Sequence, residues 1–274
     1  MWIRKREITK LSEDIRSVID GKEVDLRDNR EGPLSILKND IDTLIHIKQE
    51  KMKAAEKERN LLADYLADIS HQLKTPVTSM IIMAELLEQA PAEKQEEFAR
   101  NIRMSLSRME WLLSALLKMA KLESGVITFH KISIPTGELL ESALQPLEIM
   151  MDVRNQQVRL LHDTQICCDR RWTIEALTNL IKNALEHSPE GGTILVDSGE
   201  NPIYRWISIH DCGKGMSKEK QASLFRRFEN STKENGYGIG LPLSLSIIRE
   251  QNGDIDVDRG GKGKGATFTI KFYR

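Results

Sequence analysis

The sequence predicts a multidomain chain: an all-α hairpin that pairs with a second copy into a four-helix bundle, followed by an α+β sandwich. Three observations predict it. Apolar residues between 62 and 119 repeat at three- and four-residue spacing on two segments separated by Gln89-Ala90-Pro91. After Gly125 the pattern changes to short strand-like runs alternating with helical ones. A chain of 274 residues has room for two or three small domains.

Residues 1–48 read as two short amphipathic helices around a connector. Ile8, Leu11, Ile15 and Val18 repeat at 3-4-3 spacing, and so do Leu34, Leu37, Ile41 and Leu44. Gly21 suits the end of the first helix, and Val24 and Leu26 suit an anchored connector. The pattern resembles a HAMP signal-relay module, a parallel dimeric four-helix bundle, with Glu31-Gly32-Pro33 an imperfect match to its junction. Trp2-Ile3 before Arg4-Lys5-Arg6 has the order of an interfacial aromatic followed by cytoplasmic positive charge. That order suits either a membrane rim, with a span upstream of residue 1, or an ordinary basic terminus.

Residues 49–124 form the predicted hairpin. Mixed charge from Lys48 to Asn60 continues the helix in solvent. Leu62, Leu66, Ile69, Leu73, Met80, Ala84 and Leu87 then form one heptad stripe. Pro91 disfavours helix at the residue before it. A second helix carries Phe98, Ile102, Met109, Leu112, Leu116 and Met119 and stops at Ser124-Gly125. Stripes this wide cannot be buried by one hairpin, which predicts a homodimer. From 126 to 274, strands are expected at 127–133, 156–161, 193–197, 203–210, 255–258 and 266–272. Helices are expected near 135–152, 171–187 and 240–251.

Composition narrows the partners. Hydrophobic residues make up 40% of the chain and charged ones 30%, which suits a helix-rich globular protein. A net charge of −1 supplies no basic field for nucleic acid. Cys167, Cys168 and Cys212 have no metal-ligand spacing and read as free thiols in a reducing compartment. No apolar run reaches the roughly 20 residues that span a bilayer.

The chemistry concentrates in two places. At about 100° per residue, His71 lies about 200° from Ile69 and about 160° from Leu73, so it faces solvent. Thr75 lies about 40° from it, on the same patch. Pro76 removes an amide donor, crowds the Gln72 carbonyl and predicts a kink. The segment Ser70-His71-Gln72-Leu73-Lys74-Thr75-Pro76 resembles the phosphoacceptor box of sensor histidine kinases. It matches at the histidine, threonine and proline. Gln72 departs from the family's carboxylate there: an amide can orient an imidazole but cannot take its proton.

Five downstream motifs keep the family's order. Asn179-Leu180-Ile181-Lys182-Asn183-Ala184-Leu185-Glu186-His187 resembles the N box of the GHKL (Bergerat) ATP-binding fold shared with gyrase-type topoisomerases and certain chaperones. The resemblance implies Asn183 as a ligand to Mg²⁺, Asn179 along the phosphates and His187 beside adenine. Glu186 stands where many relatives have lysine. Asp211-Cys212-Gly213-Lys214-Gly215 follows a strand and implies Asp211 on the adenine amino group, with Gly213 and Gly215 letting backbone approach the base. Leu224-Phe225-Arg226-Arg227-Phe228 resembles the F box, with Asn230 where an arginine is usual and Arg226 or Arg227 as its substitute. Gly236, Gly238, Gly240 and Leu241 open a helix suited to phosphate. Gly263-Lys264-Gly265-Ala266-Thr267 resembles the closing glycine box, with Thr267 at the nucleotide.

The resemblance implies a protein-histidine kinase of two-component signal transduction, with a HisKA-type phosphoacceptor hairpin and ATP and Mg²⁺ as cofactors. It implies phosphorylation of His71 and transfer to a response-regulator receiver domain, which docks around Ser79 to Glu88 and the facing part of helix 92–110. Thr75 matches the position that aligns water for the reverse phosphatase reaction. The expected location is the cytoplasmic face of the cell membrane, this chain itself being soluble. Gln72, Glu186 and Asn230 leave open a phosphatase-dominant regulator or a nucleotide-gated scaffold. An ATPase of the gyrase or chaperone kind is disfavoured by the acceptor box and the paired helices.

Overall fold

A computed structural model describes residues 2–19, 33–89, 91–227, 238–260 and 264–274. It divides into two compact units, Met1–Ile69 and Ser70–Arg274. In the first, α1 spans Trp2–Ile19, and α2 (Pro33–Gln89) opens at Pro33, where a missing N–H is tolerated. Leu11 is buried, while Ile8, Leu37 and Leu44 remain exposed. The connector, with Gly21, Val24, Leu26 and Glu31-Gly32, lies outside the described residues.

In the second unit α2 continues through a buried Pro76 to Gln89, and α3 (Ala92–Glu123) follows. Gly125, at φ 64°, accepts the left-handed conformation that ends α3. Next come β1 (Lys131–Pro135), α4 (Thr136–Leu144), a 3-10 turn (Gln145–Leu147) and α5 (Glu148–Val153). The sequence predicted one helix over 135–152. Pro146 has no N–H to continue the ladder, and the helix breaks into these three pieces.

β2 (Gln157–Leu160), β4 (Thr193–Glu200), β5 (Tyr204–His210), β6 (Gly253–Asp258) and β7 (Thr267–Tyr273) form a sheet in the order β2-β4-β5-β7-β6. β2 pairs with β4 in parallel, and the other pairs are antiparallel. Registers such as Val196↔Ile209 and Ile207↔Ile270 put alternate apolar residues on one face. Ile194, Val196, Ile207, Ile209, Phe268 and Ile270 are fully buried there, each contributing about 1.5–3 kcal/mol. Helices α6 (Arg170–His187) and α8 (Gly240–Glu250) pack on each other, with α4 on α6, to make the second layer.

A separate two-stranded sheet pairs β1 with β3 (Gln165–Asp169). β3 was not foreseen in the sequence, and β1 is shifted from the expected 127–133. Buried Ile134 pairs with Ile166, and this short match of apolar residues fixes the register. All three cysteines are free, and burial pushes the Cys168 thiol up to about 11.

The hairpin stripe needs a correction. Leu112, Leu116 and Met119 were expected in a core shared with a second copy, but they are already buried within one chain, with Ala115 and Leu122. α3 packs against α8 of the α/β layer. Leu106, Leu113 and Leu117, on another face, stay more than half exposed. α3 thus has two apolar faces, and periodicity alone does not say which neighbour covers which.

Candidate nucleotide cleft and acceptor histidine

Helix α6 presents the N-box residues. Its first turn is fixed by Asp169, whose Oδ1 accepts the Trp172 amide at 3.1 Å and whose Oδ2 accepts the His130 amide at 2.9 Å. At its far end Asn183, Glu186 and His187 line one side of a cavity of about 350 Å³. The other side comes from Asp211, Lys214, Gly215 and Met216, from Lys220 and Leu224, and from Ala266.

Asp211 is 3% exposed and organises the opposite wall. Its Oδ1 accepts the Gly213 amide at 2.9 Å and the Ala266 amide at 3.0 Å. Among the described residues Oδ2 takes no hydrogen bond and remains for a donor entering the cleft. The backbone closes the same joint: Asp211 N donates to Ala266 O, and Gly265 N to Gly213 O, both at 3.0 Å. A Cβ on Gly213 would meet the His187 carbonyl at 2.5 Å, and one on Gly265, at φ 69°, the Asp211 carbonyl at 1.8 Å. Only glycine fits either place.

Asn179 lies one turn before Asn183 on α6. Among the described residues its buried Nδ2 has no hydrogen-bond partner, a loss of about 1–3 kcal/mol that an incoming acceptor would recover. A Cβ on Gly240 would stand 3.5 Å from Asn179 Oδ1, so the start of α8 comes close to this amide. Gly238 has φ 64° and leads into that helix start, and Leu241 is half-buried behind it. Gly236 lies outside the described residues. Thr267 does not line the cavity; its hydroxyl is 2.9 Å from His210 Nδ1 at the head of β7.

The cleft is electrostatically uneven. Desolvation, then the Lys220 ammonium, hold His187 below the ordinary imidazole value, which favours the neutral ring. Desolvation raises Glu186, with Lys182 and then Arg154 opposing it. Lys220 went unforeseen because helix α7 (Lys218–Ser223) is short. Its signal was Ser217, whose hydroxyl caps Lys220 N at 3.2 Å.

His71 lies elsewhere, exposed on α2. The Thr75 hydroxyl donates to the His71 carbonyl at 3.3 Å, and Gln72 is half-buried. None of these three lines the cavity. The structure therefore gathers Asn183, His187, Asp211 and Gly215 in one wall-to-wall site and leaves the histidine on a separate element. Links between hairpin and α/β layer run through α3. Lys118 Nζ is 2.8 Å from Glu175, Arg227 pairs with Glu123, and Lys182 Nζ is 5.9 Å from the Trp111 ring centroid.

Two family models match this chain. Residues 61–125 match the His Kinase A (phospho-acceptor) domain, and residues 168–274 match the histidine kinase-, DNA gyrase B- and HSP90-like ATPase. The chain belongs to the sensor histidine kinases. Sporulation kinase C of Bacillus subtilis is 27% identical over 233 residues, covering 84% of this chain and 53% of that protein. Sensor histidine kinase WalK of the same organism is 29% identical over 237 residues, covering 82% of this chain and 38% of that one. This histidine kinase chain thus spans about half the length, or less, of these relatives. The solved histidine kinase ThkA, in complex with response regulator protein TrrA, shares its fold with a TM-score of 0.66. Identity there is 20%, over 82% of this chain and 66% of that one. A helical hairpin followed by an α/β ATPase-type domain is the architecture common to them. Among the described residues, no helix is long and apolar enough to cross a membrane.

Proposed function

We propose that this chain transfers the γ-phosphoryl group of ATP to Nε2 of His71 and from there to an aspartate of a response-regulator receiver domain. The observation that carries the reading is the meeting of Asn183, His187, Asp211 and Gly215 in one cleft, with an exposed histidine held on a separate helix. Asp211 Oδ2 accepts the adenine amino proton, and neutral His187 packs beside the base. Asn179 Nδ2 donates to a phosphate, and the backbone at Gly238 and Gly240, with Leu241, borders the phosphates. Thr267 supports this wall through His210.

In the first transfer the Nε2 lone pair attacks the γ-phosphorus, the bond to the β,γ-bridging oxygen breaks, and ADP leaves with that electron pair. Gln72 accepts from Nδ1–H and fixes the tautomer. A receiver carboxylate oxygen then attacks the phosphorus, and the N–P electrons return to His71. Thr75 places a water for the reverse, dephosphorylating reaction on the partner. The fit to a divalent ion rests on the hard amide oxygen of Asn183 in the cleft; Mg²⁺ held there would neutralise phosphate charge.

Leu106, Leu113 and Leu117 on α3, with Ile81, Ile82 and Leu86 on α2, are exposed apolar residues that a second copy would cover. We assign residues 49–124 to this dimerising hairpin, 126–274 to ATP binding and 1–48 to a HAMP-like relay. The order Trp2-Ile3 before Arg4-Lys5-Arg6 supports a membrane rim beside that relay. Incubation with γ-labelled ATP tests the reading. Wild type should carry acid-labile, alkali-stable label, and His71→Gln should carry none while still binding nucleotide. Label of equal strength on His71→Gln removes His71 as acceptor.

A further inference from the structure

Glu186 has no role in the reaction above, yet it stands inside the cleft. It follows Asn183 by three residues on α6, so both side chains leave one helix face and line the cavity with His187 and Asp211. Its side chain is 17% exposed. The Lys182 ammonium is 3.8 Å from Oε1, beyond hydrogen-bond distance, and also lies over the Trp111 ring. No hydrogen bond reaches the carboxylate among the described residues.

A partly buried carboxylate whose nearest ammonium stays beyond hydrogen-bond distance gains from a cation that comes closer. An arriving polyphosphate, itself anionic, would repel that carboxylate. A divalent ion between the two would satisfy both. Mg²⁺ is commonly held by one or two carboxylates together with substrate phosphates, and it keeps several waters. Asn183 offers an amide oxygen but no carboxylate.

We propose that Glu186 is the carboxylate of the metal site, holding the divalent ion with Asn183 and making nucleotide binding strongly metal-dependent. The inference rests on reading the cleft as an ATP site. Where a lysine at this position would meet phosphate directly, this chain meets it through the metal.

Calorimetry on the full chain tests it, using a non-hydrolysable ATP analogue with Mg²⁺ and again with EDTA. Wild type should prefer the metal-loaded analogue. Glu186→Gln should lose on the order of tenfold in metal-loaded affinity, while metal-free binding is unchanged or tighter. Glu186→Lys should tighten metal-free binding and erase the preference. With Mn²⁺ in place of Mg²⁺, the electron spin resonance of the bound ion should differ between wild type and Glu186→Gln. If Glu186→Gln keeps the wild-type ratio of the two affinities, or weakens both equally, the assignment of Glu186 is overturned while the ATP reading stands. If wild type binds no analogue under either condition, the ATP reading falls and the assignment with it.

Discussion

The Lys118 ammonium on α3 lies 2.8 Å from the Glu175 carboxylate on α6, with both side chains about one third exposed. The helix that closes the hairpin is thereby tied to the helix that carries Asn179 and Asn183. In the proposed function the α/β layer must reach the exposed His71, and this pair is one of the contacts that tie the layer to α3. A pair this exposed should couple by about 0.2–1 kcal/mol. Lys118→Glu should therefore raise amide exchange over residues 112–122 by a small factor, and Lys118→Glu with Glu175→Lys should restore it. Unchanged exchange in the single variant would mean that Leu112, Leu116 and Met119 hold α3 without help from the ion pair.

Asp211 has a structural task on one oxygen and, in the function proposed above, a binding task on the other. Oδ1 holds the buried amides of Gly213 and Ala266. Asp211→Ala leaves both without that acceptor, costing about 1–3 kcal/mol for each amide, so it should lower Tm as well as abolish nucleotide binding. Asp211→Asn keeps an acceptor for the two amides but turns the cleft-facing atom into a donor. It should melt close to wild type and still bind ATP poorly. Thermal unfolding with and without nucleotide separates the two tasks; equal melting of both variants would deny Oδ1 its structural part.

Much of this division was legible in the sequence, and the failures have physical causes. Strands with strict alternation, such as Tyr204–His210 and Thr267–Tyr273, declare their faces because one side must be apolar. The nucleotide motifs were legible because Gly213 and Gly265 occupy places where any Cβ collides with backbone. The five residues of Gln165–Asp169 were too few to show a period, and Pro146 broke a helix whose apolar pattern ran straight across it. α3 misled for a different reason. Its two apolar faces are both genuine, and only three-dimensional packing tells the face on α8 from the face left exposed. Lys220 was missed because a six-residue helix depends on Ser217 as its cap more than on any repeat.

Glu186 makes a separate prediction about pH. Desolvation raises its pKa above the ordinary glutamate value of 4.5 in the folded protein. The folded state then binds more protons than the unfolded one between those two values, so stability falls as pH rises through that window. Glu186→Gln removes the titration. Its stability relative to wild type should grow from pH 4.5 upward and level off once the folded group is ionised. Urea unfolding at several pH values without metal measures this. A difference that stays constant across the range would show that the carboxylate is not strained by burial.

Gln72 is the departure from the family pattern that bears most directly on chemistry. A positioned general base typically contributes about 10²–10⁴ in rate. If proton removal from His71 limited the first transfer, Gln72→Glu would raise the initial rate by such factors. Neutral imidazole already has a lone pair on one nitrogen, so the first transfer needs only the right tautomer and orientation. An amide oxygen accepting from Nδ1–H supplies that, and the gain from Gln72→Glu should be only about severalfold, well below a general base's usual share. Thr75 acts differently: its hydroxyl is bonded at 3.3 Å to the His71 backbone carbonyl, and not to the ring. Removing it should leave the imidazole in place, so Thr75→Ala should phosphorylate itself nearly as well as wild type. In the proposed function that hydroxyl places the water for dephosphorylation, so the same variant should dephosphorylate the receiver domain more slowly. Single-turnover labelling of both variants, with and without a receiver domain, measures the two effects. A rate gain of several decades in Gln72→Glu would put a proton acceptor, and not a tautomer, at the centre of the first transfer. Full phosphatase activity in Thr75→Ala would leave the hydroxyl only its bond within the helix.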